Sequence, residues 1–342
     1  MTNKYNNVYL NYVSTVVGPY EHNGPLSKRF DRFYENLYMN ESTFENAEIH
    51  LMKESIDILL DKANKKIKDI NLFIAGDLQN QITASCYSAL KLNVPFLGVF
   101  SACASNVEAM ILASNYIDSK RAKNVITSVS SHNMVAERQF RNPTEYGAPK
   151  PSSATFTSTG GASAFISNKK SEIKIESSTI GKVCDMEQND ANNMGACMAV
   201  AAADTIYKHL KDLNRESNYY DLILTGDLGI YGKEILKEYM IKEYNMDISN
   251  NYNDCGTILY DLNNQKEVMA GGSGPACSAL VMYSDIIPKM RNKEIKKVLY
   301  VATGALFNPT LIFQKENILS IAHAISLEAV EWFTYIPFYF VD

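Results

Sequence analysis

The sequence has 342 residues, of which 46% are hydrophobic and 21% are charged, the composition of an ordinary globular protein. A chain of this length buries a large core and suggests two or three domain-sized units. The net charge of −5 and a pI near 5.7 argue against nucleic acid as a partner, and no basic stripe with interleaved aromatic residues occurs.

The first half of the chain alternates predicted strands and helices. Asn40–Ser42 opens a long helix, and Ser42 with Glu45 fits a capping box. A polar segment, Ser131–Ser153, precedes the last strand of this half. The predicted strands are Tyr5–Val17, Asn71–Ala75, Asn124–Ser130 and Gly160–Ile166, and a second helix covers Ile82–Leu92.

The second half repeats this order of elements. His209 falls among charged residues of a helix, so its side chain is expected to be solvated. The predicted strands are Ile173–Val183, Asp221–Thr225 and Lys297–Thr303, and the predicted helices are Asn192–Leu213, Lys233–Tyr244 and Pro275–Met290.

Two stretches of the halves match directly. Asp69–Leu78 (DINLFIAGDL) parallels Tyr219–Leu228 (YYDLILTGDL), and Ala122–Ser131 (AKNVITSVSS) parallels Ile295–Gly304 (IKKVLYVATG). Short apolar strands are generic, but two collinear matches with small-residue turns between them favour a duplication. We therefore expect an α/β fold made of two halves, residues 1–170 and 171–342, with a cleft near their shared axis.

The stretch Asn93–Met110 (NVPFLGVFSACASNVEAM) places Cys103 at the turn between an apolar strand and a helix. Unpaired backbone N–H groups at a helix N-terminus carry partial positive charge and lower the pKa of a nearby thiol. Cys103 is therefore the best thiolate candidate in the chain. The alternative is a small buried hydrophobic residue, which is a common role for a free cysteine.

Signals for metals, disulfides and membranes are missing. The six cysteines form neither a CxxC motif nor a zinc-like spacing with histidine, so no metal site and no disulfide framework are expected. A reducing compartment follows. The first residues lack the apolar segment of a signal peptide, and no stretch approaches the ~20 apolar residues that span a bilayer.

Two matching α/β halves, with a cysteine before the central helix of the first half, resemble the thiolase fold of thiolases and ketoacyl synthases. In that family the cysteine accepts the acyl group, and Cys103 occupies its place. Ser158–Ala164 (STGGASA) resembles the glycine-rich strand that closes the first half. The resemblance implies duplicated βαβ halves in a layered α-β-α-β-α arrangement, and a homodimer that pairs through a sheet edge.

Further motifs resemble the stage V sporulation protein AD family, the thiolase-like member of the SpoVA system of spore-forming bacteria. The resemblance covers almost the whole chain, and Ser130–Pro151 is its most specific stretch. It implies binding of dipicolinic acid or its calcium complex, and uptake of that compound into the developing spore with the SpoVA membrane proteins. It also implies a peripheral position on the cytoplasmic face of the inner spore membrane. The motifs include AGDLQNQ (Ala75–Gln81), FSACASNVE (Phe100–Glu108), GGSGPACSA (Gly271–Ala279) and IAHA (Ile321–Ala324).

The catalytic partners of a ketoacyl synthase are not evident. In the synthases resembled here, a histidine follows the strand that matches Leu222–Thr225, where this chain has Asp227, and an asparagine lies where it has Ser273. An ionised carboxylate only accepts hydrogen bonds, so Asp227 does not replace an imidazole donor. His323 comes late in the chain and does not by itself restore the donor pair.

Three hypotheses remain open. The first is a non-catalytic protein that binds dipicolinic acid, with calcium arriving only as part of the ligand and no cofactor. The second is an acyltransferase of the ketoacyl synthase or thiolase type that uses Cys103. The third is a structural subunit of the SpoVA complex with a vestigial cleft.

Dipicolinate is a planar ring with two carboxylates, which arginine binds bidentately and on which it stacks. The alternative is that Arg138 and Arg141 pair with Glu137 and Glu145 and only hold the loop. Asp77 and Asp227 end equivalent strands, where they either contact calcium or act as helix caps and turn formers. The expected ligand-binding residues are Cys103, Ser131, His132, Arg138, Arg141, Tyr146 and His323.

The last residues, Trp332–Phe340 (WFTYIPFYF), are strongly aromatic. The segment is too short to span a membrane. It is expected either to pack as a final strand or to dock on a membrane or a membrane partner, because aromatic side chains favour interfaces.

Overall fold

The structure, a computed structural model, describes residues 1–139 and 150–330. Runs rich in β-branched and aromatic residues form its strands. The first half contains β1 (Thr2–Lys4), β2 (Tyr9–Val17), β3 (Arg32–Phe33), β4 (Leu72–Gly76), β5 (Phe96–Gly98), β6 (Asn124–Ser131), β7 (Phe156–Thr157) and β8 (Gly160–Ser167). The second half contains β9 (Ile173–Ile180), β10 (Cys184–Asp185), β11 (Leu222–Thr225), β12 (Tyr252–Asp254), β13 (Gly272–Ser273), β14 (Lys297–Leu306) and β15 (Leu319–Ala329).

The helices follow the strands in an alternating order. Within the described residues, no helix combines the length and the apolar character needed to cross a membrane. The helices are α1 (Pro19–His22), α2 (Phe44–Ala63), α3 (Thr83–Leu92), α4 (Ser105–Asp118), α5 (Asn133–Gln139), α6 (Met194–Asp212), α7 (Gly229–Tyr244), α8 (Cys255–Ile258), α9 (Pro275–Val281), α10 (Ile287–Arg291) and α11 (Pro309–Phe313).

The main sheet has a mirrored strand order, β5-β4-β6-β8-β2 followed by β9-β15-β14-β11-β12. In each set the three outer strands are parallel and the two inner strands are antiparallel to their neighbours. The sets join where β2 meets β9, through the pairs Tyr9–Lys174 and Leu10–Ile173. We propose the 170/171 division as the boundary of the halves, because it falls between β8 and β9.

Helices cover both outer faces of the sheet and fill the space between its two halves. Helices α2 and α3 pack on strands of the first half, and α6 packs on β14 and β15 of the second, with α7 beside it. Helix α4 contacts strands of both halves and also α9. The largest apolar cluster surrounds these two central helices. The expected thiolase-like α/β fold is thus confirmed.

Several element boundaries differ from the sequence prediction. The long helix α2 is capped by Thr43, whose extended backbone lets its hydroxyl accept from the Asn46 N–H at 3.2 Å, and not by Ser42. The predicted helix Pro275–Met290 is interrupted by a π-helical turn, Met282–Ile286, which directly precedes α10. Pro288 in α10 has no N–H to donate, which weakens a regular helix at this point.

The structure also corrects the environment of His209. Its side chain is fully buried, with Nδ1 2.7 Å from the Thr179 hydroxyl and Nε2 2.7 Å from the Tyr220 hydroxyl. Burial lowers the pKa of His209 to about 3, so the ring is neutral. The charged residues next to His209 in the sequence lie on the exposed face of α6, whereas His209 lies on its buried face. The expectation of a solvated side chain was therefore wrong.

Candidate functional site

Cys103 lies in the turn between β5 and α4, as predicted. Ala102 precedes it with φ of +48°, a left-handed conformation that is uncommon for a residue with a side chain. The Ser105 hydroxyl closes the turn, because it accepts from the Ser101 N–H at 3.0 Å and donates to the Ala102 carbonyl at 2.8 Å. The thiol is therefore held two residues before the first residue of α4.

Strand β14 of the second half passes directly against this turn at Gly304. A Cβ atom at Gly304 would lie 2.3 Å from the Ser101 carbonyl oxygen and 3.1 Å from the Ala104 nitrogen. Only glycine leaves room for so close an approach of two backbones. The site is therefore built from both halves of the chain.

Asp227 follows β11 and is fully buried beside the Cys103 turn. Its carboxylate accepts from the Ser273 hydroxyl at 3.0 Å, the Gly274 N–H at 3.2 Å and the Thr303 hydroxyl at 2.7 Å. Burial raises the pKa of Asp227, while these donors and the Cys103 thiol act in the opposite direction. The three donors fix the orientation of this carboxylate, which forms no ion pair with any residue that the structure describes.

The surroundings of Cys103 shift its pKa away from the thiolate that the sequence favoured. Burial raises the pKa of the Cys103 thiol well above its usual value, and the Asp227 carboxylate raises it further. The Gly274 N–H favours the thiolate but does not compensate, and the Ser273 hydroxyl, 3.8 Å from Sγ, already donates to Asp227. A buried anion next to the sulfur therefore outweighs the partial positive charge of the α4 N-terminus.

Ser131 belongs to the same wall as Cys103. Its hydroxyl donates to the Ser158 carbonyl at 2.7 Å, and the Ser158 hydroxyl donates to the Ser273 carbonyl at 3.1 Å. Gly274 has φ of +99°, and a Cβ there would lie 2.9 Å from the Ser131 hydroxyl. Strands β7 and β13 pair in parallel beside it, through Ser273 and Thr157.

His323 on β15 reaches the turn from the other side. Its Nδ1 accepts from the Gly181 N–H at 3.2 Å, so the ring hydrogen is assigned to Nε2, which faces the Ser101 hydroxyl at 3.4 Å. Burial lowers the pKa of His323 to about 4. His323 is thus a neutral donor that contacts the residue two positions before Cys103.

His132 and Arg138 lie farther along the first half. His132 is buried against Phe44, its Nε2 donates to the Leu37 carbonyl at 2.8 Å, and burial lowers its pKa to about 4. Arg138 is half exposed and lies 3.5 Å from the Glu45 carboxylate. Its observed partner is therefore a carboxylate, as in the alternative interpretation of this segment, although the residue is Glu45 and not Glu137.

The remaining predicted contacts of this segment lie outside the described residues. These are Arg141 and Tyr146, and the aromatic segment Trp332–Phe340 also falls outside. Lys150, the first described residue after the gap, pairs with the buried Glu137 carboxylate. Of the seven expected ligand-binding residues, the structure brings Cys103, Ser131 and His323 to one turn, and places His132 and Arg138 on the α5 side.

The equivalent residue of the first half, Asp77, has a different environment from Asp227. Asp77 accepts from the Gln79 N–H at 3.0 Å and from the Ser85 N–H and hydroxyl at 2.8 and 2.6 Å. It therefore forms a turn and caps the start of α3. Within residues 1–139 and 150–330, no three His, Cys, Asp or Glu side chains converge as a metal site.

Sequence reasoning missed one buried acid behind the site, Glu21 of α1. Its carboxylate accepts from the Thr159 N–H at 2.8 Å and from the Tyr260 hydroxyl. Burial raises the pKa of Glu21 from 4.5 to about 7. These two contacts link Thr159, just before β8 in the first half, to Tyr260, just after α8 in the second half. A lone acid in the sequence PYEHNG gives no signal of this role.

Comparison with known proteins agrees with this architecture. A family model described as Stage V sporulation protein AD (SpoVAD) matches residues 2–328. The Bacillus subtilis (strain 168) protein of that description is 45% identical over 321 residues, which are 94% of each chain.

Solved structures with the same fold are much more distant in sequence. Cerulenin-bound OleA of Xanthomonas campestris has 12% identity and a TM-score of 0.60, and covers 94% of this chain and 97% of its own. The 3-oxoacyl-[acyl-carrier-protein] synthase III of Aquifex aeolicus VF5 has 12% identity and a TM-score of 0.50, over 96% and 100% of the two chains. At this identity the likeness shows the fold alone.

The mirrored halves, the central helices and the cysteine turn define a protein of the thiolase-like class. Within that class, the chain belongs to the stage V sporulation protein AD family. The resemblance noted in the sequence is confirmed at the level of the family.

Proposed function

We propose that this chain is a non-catalytic thiolase-fold protein that binds dipicolinic acid or its calcium complex for uptake into the developing spore. The main support is the environment of the Cys103 thiol, whose pKa is raised first by burial and then by the Asp227 carboxylate beside it. A protonated thiol is a poor nucleophile. The fold is that of condensing enzymes, while the carboxylate beside Cys103 opposes acyl transfer.

The hydrogen-bonding groups around Cys103 support the same conclusion. Acyl transfer develops negative charge on a thioester oxygen, which requires donors aimed at that oxygen. A carboxylate at Asp227 only accepts hydrogen bonds, so it would repel an oxyanion. His323 supplies one N–H, but that group faces Ser101. The described residues therefore favour binding over chemistry.

A planar dicarboxylate suits the groups that line the cleft. Hydroxyls of Ser131, Ser158 and Ser273 lie near the N-terminus of α4, and each would have to turn from its present acceptor to donate to a ligand carboxylate. Arg138 and Lys150 now face carboxylates, and a ligand carboxylate would replace one of these partners. Calcium enters this proposal only as part of the ligand, where it offsets the charge of Asp227.

We also propose where this protein acts and with which partners. Membership of a sporulation protein family supports a role in the spore, where the chain would act at the cytoplasmic face of the inner membrane with the SpoVA membrane proteins. Its own described helices do not cross a membrane, so attachment would be peripheral.

We also propose that two copies pair along the free edge of β5. This strand ends the sheet, so its outer backbone groups have no strand partner among the described residues. Leu90 and Phe100 flank it with 77% and 51% of their surface exposed, which is unusual for residues of this size. A second copy would cover both side chains and continue the sheet.

Calorimetric titration tests the ligand. The purified protein is titrated with dipicolinic acid with and without calcium, and benzoate, a single carboxylate on a ring, serves as the control. Saturable heat for dipicolinate and none for benzoate is expected. No heat with dipicolinate under either condition would remove the carrier function and leave a structural subunit with an unused cleft.

An acyltransferase is the second candidate, because the thiolase resemblance puts Cys103 in the place of the acyl-accepting cysteine, and a solved structure with this fold is a 3-oxoacyl-[acyl-carrier-protein] synthase III. Incubation with acyl-CoA followed by intact-protein mass spectrometry tests it. The proposal expects no acyl adduct on the wild-type chain. An adduct that disappears in Cys103→Ala would establish an acyl-enzyme and overturn the non-catalytic assignment.

A further inference from the structure

Three loops that are far apart in the sequence meet at the end of the sheet opposite the Cys103 turn. They are residues 64–71, 119–124 and 168–170, here termed the basic loops. The Asn71 side chain accepts from the Lys123 and Asn124 N–H groups at 2.9 and 3.0 Å. The Asn168 N–H donates to the Lys123 carbonyl at 3.4 Å. These bonds hold the three loops as one surface.

The basic loops concentrate positive charge in an otherwise acidic chain. They contain eight lysines and arginines and one acid, Asp69, for a net charge of +7, whereas the whole chain carries −5. Asp69 accepts from the Lys66 N–H at 2.9 Å. None of the eight forms an ion pair with another described residue. All but Lys65 are exposed: Lys66, Lys68, Lys120, Arg121, Lys123, Lys169 and Lys170.

A recess of about 640 Å³ opens beside the second of these loops. Lys4 and Arg121 line it, together with the Asn115 amide and Tyr116. One carboxylate, Asp118, also lines the recess, and it already accepts from the Asn6 N–H at 2.9 Å. The recess therefore offers two unpaired cations and neutral donors to an anionic group.

The last described residue, Val330, lies next to the third basic loop. The Val330 N–H donates to the Glu172 carbonyl at 2.8 Å, two residues after Lys170. The segment that follows holds six aromatic residues among its twelve. Aromatic rings favour the headgroup level of a bilayer, directly below the layer at which lysines contact lipid phosphates.

We propose that the basic loops are the face by which this protein docks on an anionic lipid bilayer. The proposal rests on the peripheral membrane position proposed above and adds the surface responsible. Charge complementarity and the aromatic composition of the residues that follow Val330 favour a bilayer over a nucleic acid, which would leave the aromatic residues without a role. The cleft at Cys103 then faces away from the lipid, because it lies at the opposite end of the strands.

The test compares two variants of equal net charge. The first replaces Lys120, Arg121, Lys123, Lys169 and Lys170 with glutamine. The matched control replaces five exposed lysines elsewhere with glutamine: Lys28, Lys91, Lys182, Lys266 and Lys315. Each protein is sedimented with vesicles of phosphatidylcholine, with or without about one third phosphatidylglycerol, at about 0.1 M and 0.5 M salt.

The wild type and the control are expected to bind the anionic vesicles at low salt, and the basic-loop variant to bind at least about thirtyfold more weakly. Equal binding of both variants would overturn the assignment of this face while leaving a membrane position intact. No binding by the wild type would overturn both, and calorimetry with dipicolinate would still test the ligand separately. Wild-type binding to a short RNA duplex that competes with vesicles would identify a nucleic-acid surface instead.

Discussion

The thiol of Cys103 and the carboxylate of Asp227 share one hydroxyl, that of Ser273. This hydroxyl donates to Asp227 Oδ2 at 3.0 Å and lies 3.8 Å from Cys103 Sγ. The two side chains come from different halves of the chain and meet where β14 crosses the Cys103 turn. Burial of the sulfur and then its proximity to Asp227 raise the pKa of a cysteine that lies at the start of a helix.

Removal of the Asp227 charge should activate Cys103. In Asp227→Asn the buried anion is gone, so the pKa of the Cys103 thiol falls and alkylation by iodoacetamide at pH 8 becomes faster. Peptide mass spectrometry reports the rate at each cysteine, and the exposed Cys86 serves as the internal reference. An unchanged ratio of the Cys103 and Cys86 rates would mean that Asp227 does not control the thiol.

Glu21 should make the folded state less stable as the pH rises. Its pKa is raised from 4.5 to about 7, so between these values the folded chain retains a proton that the unfolded chain has lost. Stability therefore decreases with pH across this window. The free energy of unfolding of the wild type, relative to Glu21→Gln, should fall by about 2 to 3 kcal/mol from pH 5 to pH 8.

Urea unfolding of both proteins at each pH gives this difference. The comparison cancels the contribution of His132, His209 and His323, whose lowered pKa values act in the opposite direction. Parallel curves for the wild type and the variant would show that Glu21 does not titrate in this range.

His209 should matter for stability far more than a surface histidine. The change His209→Ala removes a neutral ring that bridges Thr179 and Tyr220 and leaves a cavity, at a cost of about 2 to 4 kcal/mol. His50→Ala, at a side chain that is one-third exposed and pairs with Glu41, should cost less than about 1 kcal/mol. Similar losses in the two variants would contradict the buried network.

The β5 edge should control association. The double change Leu90→Glu with Phe100→Glu places charges on the proposed interface, so light scattering should show a monomer where the wild type is a dimer. Phe313→Glu is the control, because Phe313 is 79% exposed and lies on α11, away from β5. Dimers in all three proteins would exclude this edge.

The sequence predicts the fold well because its signals are local. Strand and helix patterns, the two collinear matches and the turn before α4 each lie within a short stretch, and the structure has elements at all of them. Strand β15 was not predicted, although His323 within it was identified as a residue of the site. Apolar and polar residues alternate only weakly along β15, so the local pattern does not predict a strand. Its extended conformation is stabilised by backbone pairing with β14 and β9.

The electrostatic state of the site was not predictable in the same way. The resemblance put Asp227 at the position of a catalytic histidine, but its effect on the pKa of Cys103, more than a hundred residues away, emerges only from the buried contact between them. The basic loops show the same limitation. No single stretch of the sequence is a basic stripe, yet Asn71, Lys123 and Asn168 bring three short loops together.

Protection of Cys103 from modification tests whether dipicolinate binds in the cleft beside this residue. The thiol is modified with methyl methanethiosulfonate in the presence and absence of dipicolinate with calcium, and the rate is compared with that of Cys86. A non-catalytic carrier with its ligand in this cleft predicts slower modification of Cys103 alone. Unchanged rates at both cysteines with saturating dipicolinate would contradict the proposal that the ligand occupies the thiolase-like cleft.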